Sequence, residues 1–553
     1  MMYFWEKMII LCFAFLINYS NTRAQEPRKL TPETPKLVVQ IVVGQMRYDF
    51  LNRYWTSFGE DGFKKLVNEG TSFTNARYNY LLTQSAPGYA TIATGANPSA
   101  HGIIGQDWYV RLTEKVIEAV EDNDVNTIGG SFREGKYSPG NLIATTISDE
   151  IKLGYRFKSK VIGIGLDPHA AILSSGNAAD AAYWFDNENG NWITSSYYLD
   201  SIPEWVEKFN KKKLADTYLS REWNSSWPLI DYLASLNDTN DYEIGLGGKS
   251  VFPYDIEELS KLKSKKTDYR LLKQIPFGNS YTKDFAIETI LNEKLGVDKF
   301  PDFLSINFSA MEYINNNFGI TSVEMQDAYL RLDKEIAHLL AFLDEEIGRE
   351  NVLLVLTSDH GVAHAPKYLE DNNIPAGYFN FNKAISLLIS YLKIIYGNGN
   401  WIQTYNNHQL YLDHDLILNS KLSIKEVQDV CAEFLLQFRG VYKVMTAENL
   451  LNTNYSSGIF SKMQNSFNQK RSGDVIVSLE PGWIEKGKYV TRHNSSYTYD
   501  AHVPLLWYGW QVKRAKVHDL VDITSIAPTL AILLKTSFPN TSTSKPLLHL
   551  LDK

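Results

Sequence analysis

The sequence predicts an α/β fold: a mostly parallel central sheet with helices on both faces, a cap insertion and a small α+β subdomain. Three observations predict it. Short apolar runs of strand length end abruptly in small, polar or acidic residues, the pattern of strands buried on both faces. Stretches with apolar residues at three- and four-residue spacing lie between them, as helices packed on such a sheet require. Two long intervals, about 180–290 and 367–485, break the alternation and read as insertions.

The strand-like runs are 37–43, 160–166, 302–308, 351–357 and 503–508. Residues 62–68 place Phe63, Leu66 and Val67 on one helical face, and 322–343 repeats Tyr329, Leu332, Ile336, Leu339 and Leu343 at helical spacing. The interval 180–290 is rich in Tyr, Trp, Asn and Lys and reads as a cap near the sheet edge. In 367–485, helix-like 384–396, strand-like 401–412 and helix-like 423–438 compose the α+β subdomain. No internal repeat, low-complexity run or Gly/Ser linker separates these parts.

Residues 1–24 have the form of a secretory signal: Lys7, an apolar run over 8–16, and small residues at Thr22 and Ala24 before a cut near Gln25. So short an apolar run does not span a bilayer. The expected domain of 25–553 is therefore exported, periplasmic or secreted, with no membrane span in the mature chain. Cys12 lies in the signal, which leaves Cys431 without a disulfide partner, so stability must come from a large core. A net charge of −8 gives no reason to expect nucleic acid as a partner.

In an open α/β sheet the ligand sits at the carboxyl ends of the strands. The candidate tips read Gly44-Gln45, Asp167-Pro168-His169, Ala310-Met311-Glu312 and Ser358-Asp359-His360. Three of the four carry an acid and two a histidine. Carboxylates and imidazoles gathered at one rim form the usual frame of a metal site.

Six segments, in order, carry a resemblance: "IVVGQMRYDFLNRY", "SAPGYATIATGANPSAHGIIGQDWY", "ADAAYWFDNENGNWITSSYY", "LTSDHGVAHAP", "YTYDAHVPLLWYG" and "DITSIAPTLAILL". Together they resemble the type I phosphodiesterase/nucleotide pyrophosphatase branch of the alkaline phosphatase superfamily, in particular its monomeric periplasmic bacterial alkaline phosphatases. The resemblance implies a monomer, a phosphate-ester small molecule as substrate and up to two zinc ions. It also implies a Ser or Thr nucleophile that passes through a phospho-enzyme. It places the nucleophile on Ser85, with Thr83 a second candidate, and zinc ligands on Asp359, His360, Glu312 and His493. Gln106 and His169 fall at substrate-binding positions.

The chain departs from the family's pattern at several places. Gly44 stands where the family has a ligating Asp, and Asn316 where it has a ligating His; Glu312 replaces an Asp. Asp167 and His169 stand where family phosphomonoesterases carry a Lys and an Arg for the phosphate oxygens. Two readings follow: a hydrolase of phosphate esters working through Ser85 on an impaired metal centre, or a catalytically inactive pseudo-phosphatase that keeps the fold for binding. The oxygen donors Asp359 and Glu312 also suit magnesium or manganese. His364, His101 and His502 read as structural.

Overall fold

The computed structural model describes residues 32–551 except 263 and 265; the signal-like segment lies outside them. Eleven strands form the central sheet: β1 (Leu37–Val43), β2 (Thr71–Arg77), β3 (Thr127–Ile128), β4 (Val161–Gly165), β5 (Ala181–Phe185), β6 (Trp192–Ser195), β7 (Asp302–Phe308), β8 (Val352–Thr357), β9 (His502–Gly509), β10 (Ala515–Val517) and β11 (Val521–Asp522). Their order is β10-β2-β9-β8-β1-β7-β4-β5-β6-β3, with β11 beside β2. β1 is central and fully buried. Val39, Ile41 and Val43 enter the core on one side, and Val38 and Val42 the core on the other, which is the two-residue period of a strand covered on both faces.

The neighbours β8, β1, β7, β4 and β5 are parallel. β9, expected among the mostly parallel strands, runs antiparallel to both β8 and β2. This reversal matters for the site. The start of β9 lies at the carboxyl end of β8, so the loop leading into it arrives at the same rim. β2 in turn runs with β8, and the chain leaving its end delivers the next helix there as well.

Helices cover the faces. α1 (Ser85–Thr94), α2 (Pro168–Ser175), α3 (Ala310–Phe318) and α4 (Val323–Glu346) carry or support the rim residues. α4 packs the predicted Tyr329, Leu332, Ile336, Leu339 and Leu343 into the core and is capped by Ser322 Oγ, which accepts from Met325 N–H at 3.1 Å.

The interval read as a cap from about 180 begins with sheet: β5 and β6 belong to the central sheet, and after Ser195 the chain forms short helices, among them Glu204–Lys211 and Leu214–Leu219, before the longer Phe277–Glu293. The aromatic content of "AAYWF" and "NWITSS" reflects burial in that sheet and against Tyr281 and Phe285. In the later interval a four-stranded antiparallel sheet of Ile402–Asn406, Gln409–Leu412, Val441–Thr446 and Val475–Leu479 packs with helices Phe381–Tyr396 and Ile424–Leu436 around a core of its own. The run 401–412 is a hairpin and not one strand, because Asn407 and His408 take left-handed φ values of 48° and 60°.

Candidate active site

Ser85 is the first residue of α1, so its hydroxyl stands at the positive end of that helix, although the Ala86 and Gly88 N–H groups are taken by Gln106 and the Gln84 carbonyl and Pro87 has none. α1 lies directly against the loop after β8. A Cβ on Gly88 would come within 2.2 Å of the Asp359 carbonyl oxygen, so only glycine allows this approach. The closeness brings Ser85 Oγ to 3.1 Å from Glu312 Oε2 on α3 and 3.2 Å from His360 Nε2 after β8.

The two histidines are oriented alike. His360 Nδ1 faces the Gly361 carbonyl at 2.7 Å, and His493 Nδ1 faces the Thr83 carbonyl at 2.6 Å. A carbonyl only accepts, so Nδ1 carries the proton in each ring and Nε2 is left as a free lone pair. The rings are tilted against each other with centroids 4.0 Å apart. Burial lowers the pKa of His360 to about 4, and burial followed by the neighbouring His360 holds His493 well below the usual imidazole range. Both are neutral at pH 7, the form that ligates a metal.

Asp359 is fully buried. Its Oδ1 accepts the backbone N–H of Gln45 and of His360, each at 2.9 Å. Its Oδ2 has no hydrogen-bond partner among the described residues and lies 3.7 Å from His360 Nε2. Burial raises its carboxyl pKa. Burial, then the charges of Asp359 and Asp167, push the Glu312 carboxyl up to about 8. Buried carboxyls that resist ionisation in this way, one with an orphaned oxygen, are what a cation would relieve.

The donors fit one divalent cation. Atoms of Glu312, His360 and His493 lie within 4.8 Å of one another, the one such group of His, Cys, Asp and Glu among the described residues, and Asp359 flanks it. They do not fit two. Gly44 contributes no side chain; a Cβ there would sit 3.4 Å from Glu312 Cβ, so the glycine lies directly alongside the longer Glu312, whose carboxyl reaches Ser85. Asn316 offers a neutral amide. Residues that the resemblance divides between two zinc sites, His360 in one and Glu312 and His493 in the other, lie within 4.8 Å of one another.

The wall of this cleft, which encloses about 230 Å³, is unusual in charge. Gln106 Oε1 accepts Ala86 N–H at 3.2 Å, and its Nε2 lies 3.0 Å from His169 Nδ1. His169 Nε2 is buried without a partner among the described residues. Asp167 accepts the Tyr313 hydroxyl and lies 3.7 Å from His169 Nδ1. Burial alone would raise the Asp167 carboxyl, but Lys273, His169 and Tyr313 outweigh it and hold the group ionised.

Thr83, the second nucleophile candidate, falls outside the cluster, as do the three histidines read as structural and Asp49, five residues after Gly44. Thr83 Oγ1 donates to the Ser495 carbonyl at 2.8 Å. Asp49 pairs with Arg47 and Arg53. His101 bonds Thr91 and the Ile103 N–H, His364 stacks on Tyr368, and His502 stacks on Tyr48. Sequence reasoning missed Gln45, whose left-handed φ of 56° aims its N–H at Asp359; its position directly after the strand-tip glycine was the available signal. It also missed Gln84, which accepts Gln106 N–H at 2.6 Å and donates to Asn494 and Asn407, tying the 402–412 hairpin to the rim.

A family model described as type I phosphodiesterase / nucleotide pyrophosphatase matches residues 38–502. The chain belongs to this family. Among its relatives are a protein named calcium-transporting ATPase from Myroides odoratus, 38% identical over 94% of this chain and 95% of that one, and alkaline phosphatase PafA from Elizabethkingia meningoseptica, 35% identical with the same coverages. Alkaline phosphatase PhoV from Synechococcus elongatus is 35% identical over 99% of this chain and all of its own length. The crystal structure of PafA superimposes with a TM-score of 0.89 at 36% identity, covering 93% of this chain and 99% of that one. The family and fold implied by the six motifs are therefore those the chain has.

Proposed function

We propose that the protein is an exported hydrolase of phosphate esters, with Ser85 as nucleophile and one divalent cation, zinc by preference of the donors, held by Glu312, His360 and His493 beside Asp359. The observation that carries this reading is the convergence on Ser85 Oγ of Glu312 and His360 at 3.1 and 3.2 Å, at the floor of a cleft and the start of a helix. The names of PafA and PhoV support the same reaction class. A cation bound there would supply Lewis-acid activation of the hydroxyl and charge stabilisation at the phosphoryl oxygens. The chain's own groups do the rest. The dipole at the start of α1 and the Gln106 amide favour phosphoryl oxygens there, the Thr83 and Gly361 carbonyls fix both imidazoles, and Asp359 holds the β1 and β8 tips together through Gln45 N–H.

With one cation in place of two, and Asp167 where a phosphate-gripping cation would stand, activity on simple phosphomonoester dianions is weak. No helix among the described residues is long and apolar enough to cross a membrane; export rests on the signal-like segment. The test is metal content per chain by mass spectrometry together with turnover of a phosphomonoester and a phosphodiester by wild type and Ser85→Ala. One cation and Ser85-dependent turnover are expected. Metal-free protein with no turnover in excess zinc would establish the pseudo-phosphatase instead.

A further inference from the structure

α3 borders two cavities. Glu312 faces Ser85 in the first, whereas Tyr313, Asn316 and Tyr489 line both that cleft and an adjoining chamber of about 390 Å³. Lys273 belongs to the adjoining chamber. It stands at the end of the helical turn Tyr269–Gln274, which is fastened to α3 where Asn317 Nδ2 donates to Gln274 Oε1 at 3.0 Å. The lysine is only 6% exposed, and its ammonium lies 5.9 Å from the centre of the Tyr313 ring. No hydrogen bond or ion pair holds that ammonium among the described residues.

The other cations of the chamber differ. Arg270 is engaged by both oxygens of Asp268, at 2.7 and 2.9 Å, and Lys488 is exposed at the mouth, over the Tyr489 ring. The Asp167 charge acts on this ammonium without bonding it, so an arriving anion in the chamber would still gain charge-assisted hydrogen bonds from it. Asp167, ionised and linked to the same Tyr313, is partly offset by Lys273 and His169, and it still disfavours a second negative charge placed directly beside it in the first cleft. The first cleft still has a cation of its own for the reacting phosphoryl group, Arg492, whose nearest carboxylate is Glu485 at 3.8 Å, which leaves Lys273 in the second chamber for a separate anion.

We infer that the substrate is a phosphate ester whose alcohol portion bears a second anionic group, phosphate or carboxylate, seated on Lys273 in the chamber beyond Tyr313. This rests on Ser85 being the nucleophile, and it adds a specificity that the family assignment does not contain.

The test compares phenyl phosphate, 4-carboxyphenyl phosphate and 1,4-phenylene bisphosphate at constant ionic strength. Wild type should favour at least one of the two doubly anionic esters over phenyl phosphate by about tenfold in kcat/KM; which of them it favours separates carboxylate from phosphate. Lys273→Gln should bring the ratio close to one, and Lys273→Arg should keep most of it. Equal kcat/KM for all three esters in wild type, or an unchanged preference in Lys273→Gln, overturns the inference. If none of the esters turns over, the hydrolase reading fails, yet the subsite is still decided by calorimetric titration of the same compounds into Ser85→Ala. About tenfold tighter binding of a doubly anionic ester, lost in Ser85→Ala/Lys273→Gln, is expected; equal affinities refute it.

Discussion

Replacing Glu312 by Gln separates the charge of this site from its shape. In the metal-free protein the Glu312 carboxyl is raised from its ordinary value near 4.5 to about 8, first by burial and then by Asp359 and Asp167. The folded state therefore holds its proton more tightly than the unfolded chain. The associated stability is fully present below pH 4.5 and is lost as pH rises towards about 8. At about 1.4 kcal/mol per pH unit the ceiling is roughly 5 kcal/mol. Glu312 is partly open to the cleft, and screening there reduces the loss to about 2 kcal/mol. For a chain of 553 residues the unfolding entropy is roughly 1 kcal/mol per degree, so the shift is about 2 °C. Thermal melts in chelator between pH 5 and 9 should show wild type falling relative to Glu312→Gln by that amount. Zinc at about a hundred times its dissociation constant should then restore about 2.7 kcal/mol to wild type at pH 8 and much less to the variant. Parallel melting of the two proteins across the pH range, or equal stabilisation by zinc, would refute the single-cation cluster.

Three further outcomes follow from the geometry. Gly88→Ala puts a methyl group 2.2 Å from the Asp359 carbonyl oxygen, and denaturant unfolding should show a loss of about 1–3 kcal/mol with a matching drop in turnover. Asp167→Asn removes a repulsive charge from the cleft wall and should lower KM for phenyl phosphate about fivefold, read from steady-state kinetics at low salt. Gly44→Asp combined with Asn316→His supplies the missing donors on both sides of the cluster, and metal analysis should rise from one zinc per chain to two.

Much of the site was legible because its residues stand directly after buried apolar runs. Glu312, Asp359 and His360 follow β7 and β8, and adjacent parallel strands bring their tips together without further information. Ser85 and His493 required the resemblance, since neither follows such a run; the antiparallel β9 and the pairing of β2 with it carry them to the rim. β5 and β6 were hidden by their aromatic content, which reads as an irregular cap until the pairing of β5 with β4 and of β6 with β5 is known. Lys273 gave no signal. It lies in a short turn between Leu272 and Gln274, and only docking of that turn on α3 brings it to Tyr313. The approach of Gly44 to Glu312 was likewise invisible, because losing the side chain at 44 and lengthening Asp to Glu312 read as two separate defects until the 3.4 Å distance between them is seen.

The most direct test of the central claim is to trap the covalent intermediate. Zinc-loaded protein incubated with a reactive aryl phosphate, quenched in acid and digested should carry one phosphoryl group on Ser85, detected by tandem mass spectrometry and absent from Ser85→Ala. A phosphoryl group on Thr83, or an unmodified Ser85 in protein that is turning substrate over, would contradict the account.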